Sequence, residues 1–356
     1  MDGREPIILT AEGRSCRLEI YSGALAVEVK NLVAPGRGLI LMDRAFKDEA
    51  PAWRRDFSDF TVVLPEAAGE AVKSLDQARD ILETMVKAAL DRDDWLIVRG
   101  GGSLTDLGGF CAGLYRRGLR LMLIPTTLLG AVDAAVGGKT AVNLGGAKNQ
   151  VGHFYLPEYV LADLAAIRAL PEERLAEGLV EAYKTGLLLD RRLTALVEER
   201  TDELLAGDER LLAEVIRRSV RAKAAAVERD FREEKNLREF LNLGHTYGHA
   251  AEALIPGLSH GRAVALGLAV MAEMSRAHGL SEAEVFRITA AVRRLGGPWP
   301  DLPPEAEILR LLRADKKNRG GRLRFVVLKA LRQPAIIYAT PEEILRAAQT
   351  ALSNQP

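Results

Sequence analysis

The sequence predicts an α/β N-terminal domain followed by a mainly α-helical C-terminal domain, and three observations carry that prediction. The first third alternates short aliphatic and β-branched runs with helical stretches, the pattern of a layered sheet. From Leu170 onward the chain turns to nearly continuous helix. At 356 residues it is long enough for two cores, so we place one boundary near Leu170, between domains 1–170 and 171–356.

In order, residues 39–43, 60–64 and 95–99 read as buried strands, and 121–124 as a fourth that Pro125 ends. Residues 74–90 form an amphipathic pattern opened by Ser74, a good N-cap. In the second half, residues 171–190, 191–205 and 211–229 read as helices, and the apolar run 263–277 as a central core helix. A strand over 323–328 and a helix from about Pro341 close the chain.

Composition excludes several classes. Hydrophobic content of 48% with 28% charged residues is that of an ordinary globular protein. Lysine plus arginine equals aspartate plus glutamate at 49 each, which removes the electrostatic case for nucleic acid or an anionic membrane as partner. Cys16 and Cys111 are far apart, no signal peptide is visible, and the longest apolar runs are interrupted or too short to span a bilayer. The expected location is the cytoplasm, and clusters of basic groups have to be read as site chemistry.

The third strand runs into Gly100-Gly101-Gly102, then into helix. Strand, glycines and helix start is a geometry in which bare amides meet a pyrophosphate, and Asp43, at the end of an earlier strand, is placed like an acid that binds an adenosine ribose. A Rossmann-like dinucleotide site is one reading; a plain turn is the other, because Thr105 stands where the fingerprint's third glycine would be. Gly137-Gly138-Lys139-Thr140 invites a P-loop reading, but Asp133 occupies the first glycine's place. Lys139, Lys148 and Asn149 in glycine-rich loops still look like anion ligands.

Residues 243–261 hold three of the five histidines. His245 and His249, four apart, project from one helix face toward a metal or a substrate, and His260 follows a Pro256-Gly257 turn. A catalytic zinc takes three protein ligands and keeps one position open; the alternative is capping, surface and core histidines. Glu181 and Lys184 share a helix face, where a salt bridge is the simplest reading.

Together these stretches resemble the 3-dehydroquinate synthase family of the sugar phosphate cyclases over residues 39–327. The resemblance rests on an ordered set: Leu64-Pro65, Gly69-Glu70 and Lys73; the triple glycine with Asp106; Tyr115-Arg116-Arg117-Gly118; Pro125-Thr126-Thr127-Leu128-Leu129; Asp133 to Thr140; Lys148-Asn149; Glu181-x-x-Lys184; Leu241-Asn242-Leu243-Gly244-His245 with His249; His260-Gly261; and Asp315-Lys316-Lys317. It implies a Rossmann-like first domain and one divalent metal, zinc or cobalt, on Glu181, His245 and His260, with His249 facing the substrate. It implies NAD on Asp43, Glu70, Lys73, Gly101, Gly102, Asp106, Thr126 and Thr127, with Asp133 and Lys148 also in contact. Substrate would meet Arg117, Lys139, Lys148, Asn149, Lys184, Lys223, Arg238, Asn242, His249 and one of Lys316 and Lys317. Catalysis would fall to His249, Lys184, Lys139, Asp133 and Arg238, and Arg117 matches an arginine lent across a homodimer.

The implied activity is that of a carbon–oxygen lyase, turning 3-deoxy-D-arabino-heptulosonate 7-phosphate into 3-dehydroquinate and phosphate in aromatic amino acid biosynthesis. Transient oxidation, phosphate elimination, re-reduction and an intramolecular aldol closure would follow one another, with NAD regenerated. The alternatives are a sister cyclase acting on sedoheptulose 7-phosphate or glucose 6-phosphate, and a metal-dependent polyol-phosphate dehydrogenase. The chain departs from the family pattern at Thr105, His153, Ala169, Arg174, Phe231 and Arg262.

Overall fold

The computed structural model describes residues 5–235, 237–314, 318–319 and 322–353. Its contacts divide the chain into one unit of Met1–Pro171 with Gly207–Arg232 and a second of Glu172–Ala206 with Glu233–Pro356.

Along the first unit run β1 (Ile7–Ala11), β2 (Arg14–Tyr21), α1 (Leu25–Val33), β3 (Gly38–Met42), α2 (Ala50–Asp56), β4 (Phe60–Val63), α3 (Leu75–Lys87), β5 (Trp95–Gly100), α4 (Gly102–Leu114) and β6 (Arg120–Pro125). A hairpin of β7 (Lys139–Leu144) and β8 (Ala147–Phe154) precedes β9 (Tyr159–Asp163) and α5 (Leu164–Arg168). The main sheet has the order β1-β2-β9-β6-β5-β3-β4 and is parallel except for the β1–β2 pair. Every residue of β3 and of β5 is buried, as continuous apolar strands covered on both faces require. Ile40, Met42, Trp53, Trp95, Ile97 and Ile124 belong to the core cluster around these strands. After β3 the chain steps outward to β4 and returns on the other side of β3 as β5. The β3/β5 junction is therefore a switch point, where open α/β sheets bind ligands at their carboxyl ends.

The β7–β8 hairpin was not visible as strands in the sequence, where its glycines read as loop. Thr140 and Val142 alternate inward, and Gly145 and Gly146, at φ 61° and 76°, make the tight reversal. His153 on β8 fills a space that only Gly113 of α4 leaves: a Cβ there would stand 1.8 Å from the imidazole Nε2.

The chain then passes through α6 (Glu172–Leu189), α7 (Arg191–Glu199) and α8 (Thr201–Leu205) before α9 (Glu209–Arg229). The sequence assigned α9 to the helical half, with a single cut near Leu170; its contacts instead group it with the first unit. The physical reason is that α9 packs on β1, β2 and α5. Glu228 accepts the Thr10 amide at 2.8 Å, and Glu209 takes the Ser22 hydroxyl at 2.6 Å and the Arg168 guanidinium at 2.5 Å. Phe231, just beyond α9, packs beside Phe154 with ring centres 5.5 Å apart and planes tilted by 52°.

The second unit is mainly helical, with α10 (His245–Leu254), α11 (His260–Arg276), α12 (Glu282–Gly296), α13 (Glu305–Ala314) and α14 (Pro341–Ser353). A small antiparallel sheet of β10 (Asn318–Arg319), β11 (Arg322–Ala330) and β12 (Gln333–Ala339) joins them. α6 and α11 are buried over most of their length and form its core. α12 opens with a full capping box between Ser281 and Glu284. α10 and α11 touch backbone to backbone, because a Cβ on Gly267 would stand 1.7 Å from the Gly244 carbonyl oxygen. Among the described residues no helix is long and apolar enough to cross a membrane.

Candidate active site

Two clusters form, one in each unit. In the first, Asp43, Gly100–Gly102, Thr126 and Thr127 lie at the carboxyl ends of β3, β5 and β6. The Asp43 amide donates to the Arg99 carbonyl at 2.9 Å and the Thr126 amide to the Gly100 carbonyl at 3.0 Å, so three strand ends are locked in one row. Helix α4 starts on Gly101 with no side-chain cap, which leaves its first amides to an outside anion.

Beside the row, Lys73, only 5% exposed, donates to Asp106 at 2.6 Å and to Asn149 at 2.5 Å. Glu70 accepts from the Ser103 hydroxyl at 2.9 Å and from Asn143 at 2.8 Å, and Asn143 in turn accepts the Asn149 amide at 2.9 Å. Ser103 and Asn143 escaped the sequence reading; nothing local signals partners that lie 33 and 73 positions away. Burial raises the Asp106 carboxyl to about 6, and the neighbouring Lys73 ammonium offsets only part of that. Asp133 sits on a π-helical turn, Gly130–Ala134, and takes the Lys223 ammonium at 2.7 Å on its carboxylate and 2.5 Å on its carbonyl. Lys139 and Lys148 are exposed on the hairpin, and Arg117 is exposed in the turn after α4 with φ 65°.

In the second unit, Glu181 and Lys184 come from α6, His245 and His249 from α10, and His260 from the first turn of α11. Glu181 Oε1 stands 3.7 Å from His245 Nε2 and 3.5 Å from His260 Nε2. Ligands about 2.0–2.1 Å from a tetrahedral zinc stand about 3.3 Å apart, so these three donors fit such an ion. Each imidazole is held from behind: His245 Nδ1 faces the Leu243 carbonyl at 3.1 Å, and His260 Nδ1 faces Glu252 Oε2 at 3.3 Å. Both contacts leave Nε2 as the donor atom. Glu252, three residues after His249 on the same helix, is a partner that the sequence reading passed over; the i, i+3 spacing was its only signal.

Lys184 Nζ lies 2.5 Å from Glu181 Oε2, and both side chains are buried. Burial pushes the Glu181 carboxyl up, but Lys184 and the two imidazoles outweigh it and hold it well below the ordinary range. Burial, with the Lys184 charge added, drives the His245 imidazole down to about 3, which keeps it neutral as a ligand must be. His249 is exposed beside them, with its ring centre 5.1 Å from that of His245. Arg238, 2% exposed, lies 3.6 Å from Glu233, and Asn242 ends the same short 3-10 turn. Lys316 and Lys317 lie outside the described residues.

Comparison with known proteins gives the chemistry a frame. The family model described as 3-dehydroquinate synthase N-terminal matches residues 62–177, and that described as 3-dehydroquinate synthase C-terminal matches residues 178–318. A 3-dehydroquinate synthase of Acidithiobacillus ferrooxidans is 42% identical over 291 residues, covering 80% of this chain and 79% of the relative. One of Paenarthrobacter aurescens is 38% identical over 333 residues, covering 91% of this chain and 88% of its own. Among solved structures, a 2-deoxy-scyllo-inosose synthase complexed with carbaglucose-6-phosphate, NAD+ and Co2+ superposes with a TM-score of 0.88 at 22% identity, over 98% of this chain and all of that one. A 2-epi-5-epi-valiolone synthase from Streptomyces hygroscopicus subsp. jinggangensis, with NAD+ and Zn2+ bound, gives 0.86 at 25% identity, over 97% and 99%.

Proposed function

Because the chain belongs to the 3-dehydroquinate synthase family, we propose that it converts 3-deoxy-D-arabino-heptulosonate 7-phosphate into 3-dehydroquinate and phosphate, as a carbon–oxygen lyase that uses NAD and one divalent ion, zinc or cobalt. The observation that carries the reading is the convergence of Glu181, His245 and His260 beside a buried Lys184. When bound, NAD supplies reversible hydride acceptance and the divalent ion supplies Lewis acidity for adjacent substrate oxygens.

The chain's own groups have the remaining work in this reading. Glu181, His245 and His260 hold the ion; Asp43, Glu70, Lys73, Gly101, Gly102, Asp106, Thr126 and Thr127 hold the dinucleotide. Lys139, Lys148, Asn149, Lys223 and Arg238 supply cations and donors for a substrate that carries both a carboxylate and a phosphate. Arg238 is the group assigned to the substrate carboxylate in this reading, a planar guanidinium suited to pairing with it. Lys184 stabilises negative charge as it develops on the substrate, and the exposed His249 imidazole moves protons. Cys16 and Cys111 are buried unlinked thiols, in keeping with a cytoplasmic enzyme, and Arg117 completes the partner's site in a homodimer.

The test is phosphate release from 3-deoxy-D-arabino-heptulosonate 7-phosphate by purified protein with divalent ion and trace NAD, while NADH absorbance is followed. Many phosphates per NAD without lasting NADH are expected. Release only from sedoheptulose 7-phosphate or glucose 6-phosphate would replace the substrate, and steady NADH from a polyol would replace the reaction class. Glu181→Gln and His260→Ala are each expected to abolish turnover and lower bound metal while leaving NAD affinity within about twofold; full activity in His260→Ala would overturn the metal assignment.

A further inference from the structure

One buried ionic cluster in the first unit lies outside the reading so far. Arg99 is the fifth residue of β5, in an otherwise apolar run that ends in Gly100, and it is 5% exposed. An isolated buried guanidinium is costly, so its partners decide what it does. Its Nη2 donates to Asp163 Oδ2 at 3.0 Å and its Nη1 to Glu49 Oε2 at 2.7 Å, while its plane lies over the Phe46 ring at 3.9 Å.

The partners lie at the end of one sheet strand, β9, and in the segment that follows another, β3. Asp163 ends β9 and caps α5 by accepting the Ala166 amide at 3.0 Å. Glu49 directly precedes α2, and Phe46 ends the short turn Arg44–Phe46 that Asp43 caps through the Ala45 amide at 2.9 Å. The Arg99 backbone grips the same turn from the other side: its carbonyl accepts the Asp43 amide, and a Cβ on the next residue, Gly100, would stand 3.2 Å from Asp43 Cβ. The segment that begins at Asp43 is thus held by one residue at two places: by the Arg99 main chain at Asp43, and by its side chain at Phe46 and Glu49.

We infer that Arg99 is a positioning residue for the dinucleotide. By clamping the Asp43 turn onto Gly100–Gly102 it sets the affinity for the adenosine-diphosphate half of the cofactor, with Glu49, whose side chain is 51% exposed, as the outer arm of the clamp. This rests on the dinucleotide reading above. A role in folding alone would lower stability without altering which ligand fragments bind.

The experiment is calorimetric titration of the full chain, loaded with zinc, with ADP-ribose and with NAD. Three variants are compared with the parent: Arg99→Met combined with Asp163→Asn, so that no buried carboxylate is stranded; Arg99→Lys; and Glu49→Gln. Binding of both ligands should weaken about tenfold in the double variant and about threefold in Glu49→Gln, with Arg99→Lys in between and zinc affinity unchanged throughout. ADP-ribose and NAD affinities within about twofold of the parent, in variants that keep zinc, would overturn the assignment while leaving the dinucleotide reading intact. A parent that binds neither ligand would remove that reading and this inference together. If the double variant does not fold, Glu49→Gln decides alone, because its side chain reaches solvent and its loss strands no buried carboxylate.

Discussion

In the proposed site, single side chains hold the ion and orient its ligands. Glu252 faces His260 Nδ1 at 3.3 Å, and removing such an orienting carboxylate costs about 10- to 100-fold in metal affinity. Glu252→Ala should therefore lose metal in a chelator competition yet recover most of its turnover when zinc is in excess; unchanged zinc affinity would show the contact to be incidental. Asp106 gives a pH signature. Folding raises its carboxyl from an ordinary 3.8 to about 6, so the folded chain holds that proton more tightly than the unfolded one. The stability tied to this group is full below the unfolded value and is lost as pH rises through about 6. The thermal margin of the parent over Asp106→Asn should shrink between about pH 4.5 and 7 and stay level above that; a margin that grows would contradict the assignment. At this scale the sequence showed the residue types but not their partners. His245, His249 and His260 were visible as a cluster, yet the choice between metal and substrate came from the family's pattern, and only the fold brought Nε2 of two of them to Glu181. Arg99 and Asp163 lie 64 positions apart, and no local pattern links them.

Elements were more legible where their period was strong. The buried strands β3 and β5, the Ser74 cap and the core helix α11 all follow from apolar runs and cap residues. The β7–β8 hairpin was missed because its glycines and lysines masked a short inward alternation, and the first hairpin and β9 were not assigned. Helix crossings are invisible until both helices are placed, and Gly267 is the case in point. Gly267→Ala forces a methyl into the Gly244 carbonyl, so α10 has to move and carry His245 with it. Overpacking of this kind costs about 1–3 kcal/mol or more. The variant should melt earlier and bind zinc at least about tenfold more weakly, while ADP-ribose binding by the first unit holds; intact zinc affinity would mean that α10 adjusts without disturbing the donors.

At the scale of the molecule, an open apolar face on the first unit, formed by Leu75, Val86, Phe110 and Leu114, lies just before the turn that carries Arg117. Val86 is 65% and Leu114 48% exposed, an arrangement suited to the proposed homodimer. Val86→Asp with Leu114→Asp should sediment as a single chain where the parent sediments at twice that mass; a dimeric double variant would move the interface elsewhere. The two-part architecture was readable from the change of pattern near Leu170, but the return of α9 to the sheet unit was not, because a helix's partner is not written in its own period. That return also orders events on the ribosome. The sheet emerges first and waits with the α9-facing sides of β1 and β2 bare while residues 172–206, belonging to the other unit, are made. At about 5–20 residues per second that wait lasts seconds, during which the bare apolar surface is open to non-native contacts. A nascent chain stalled soon after Pro171 should be cut by protease, and one with α9 fully outside the exit tunnel should resist.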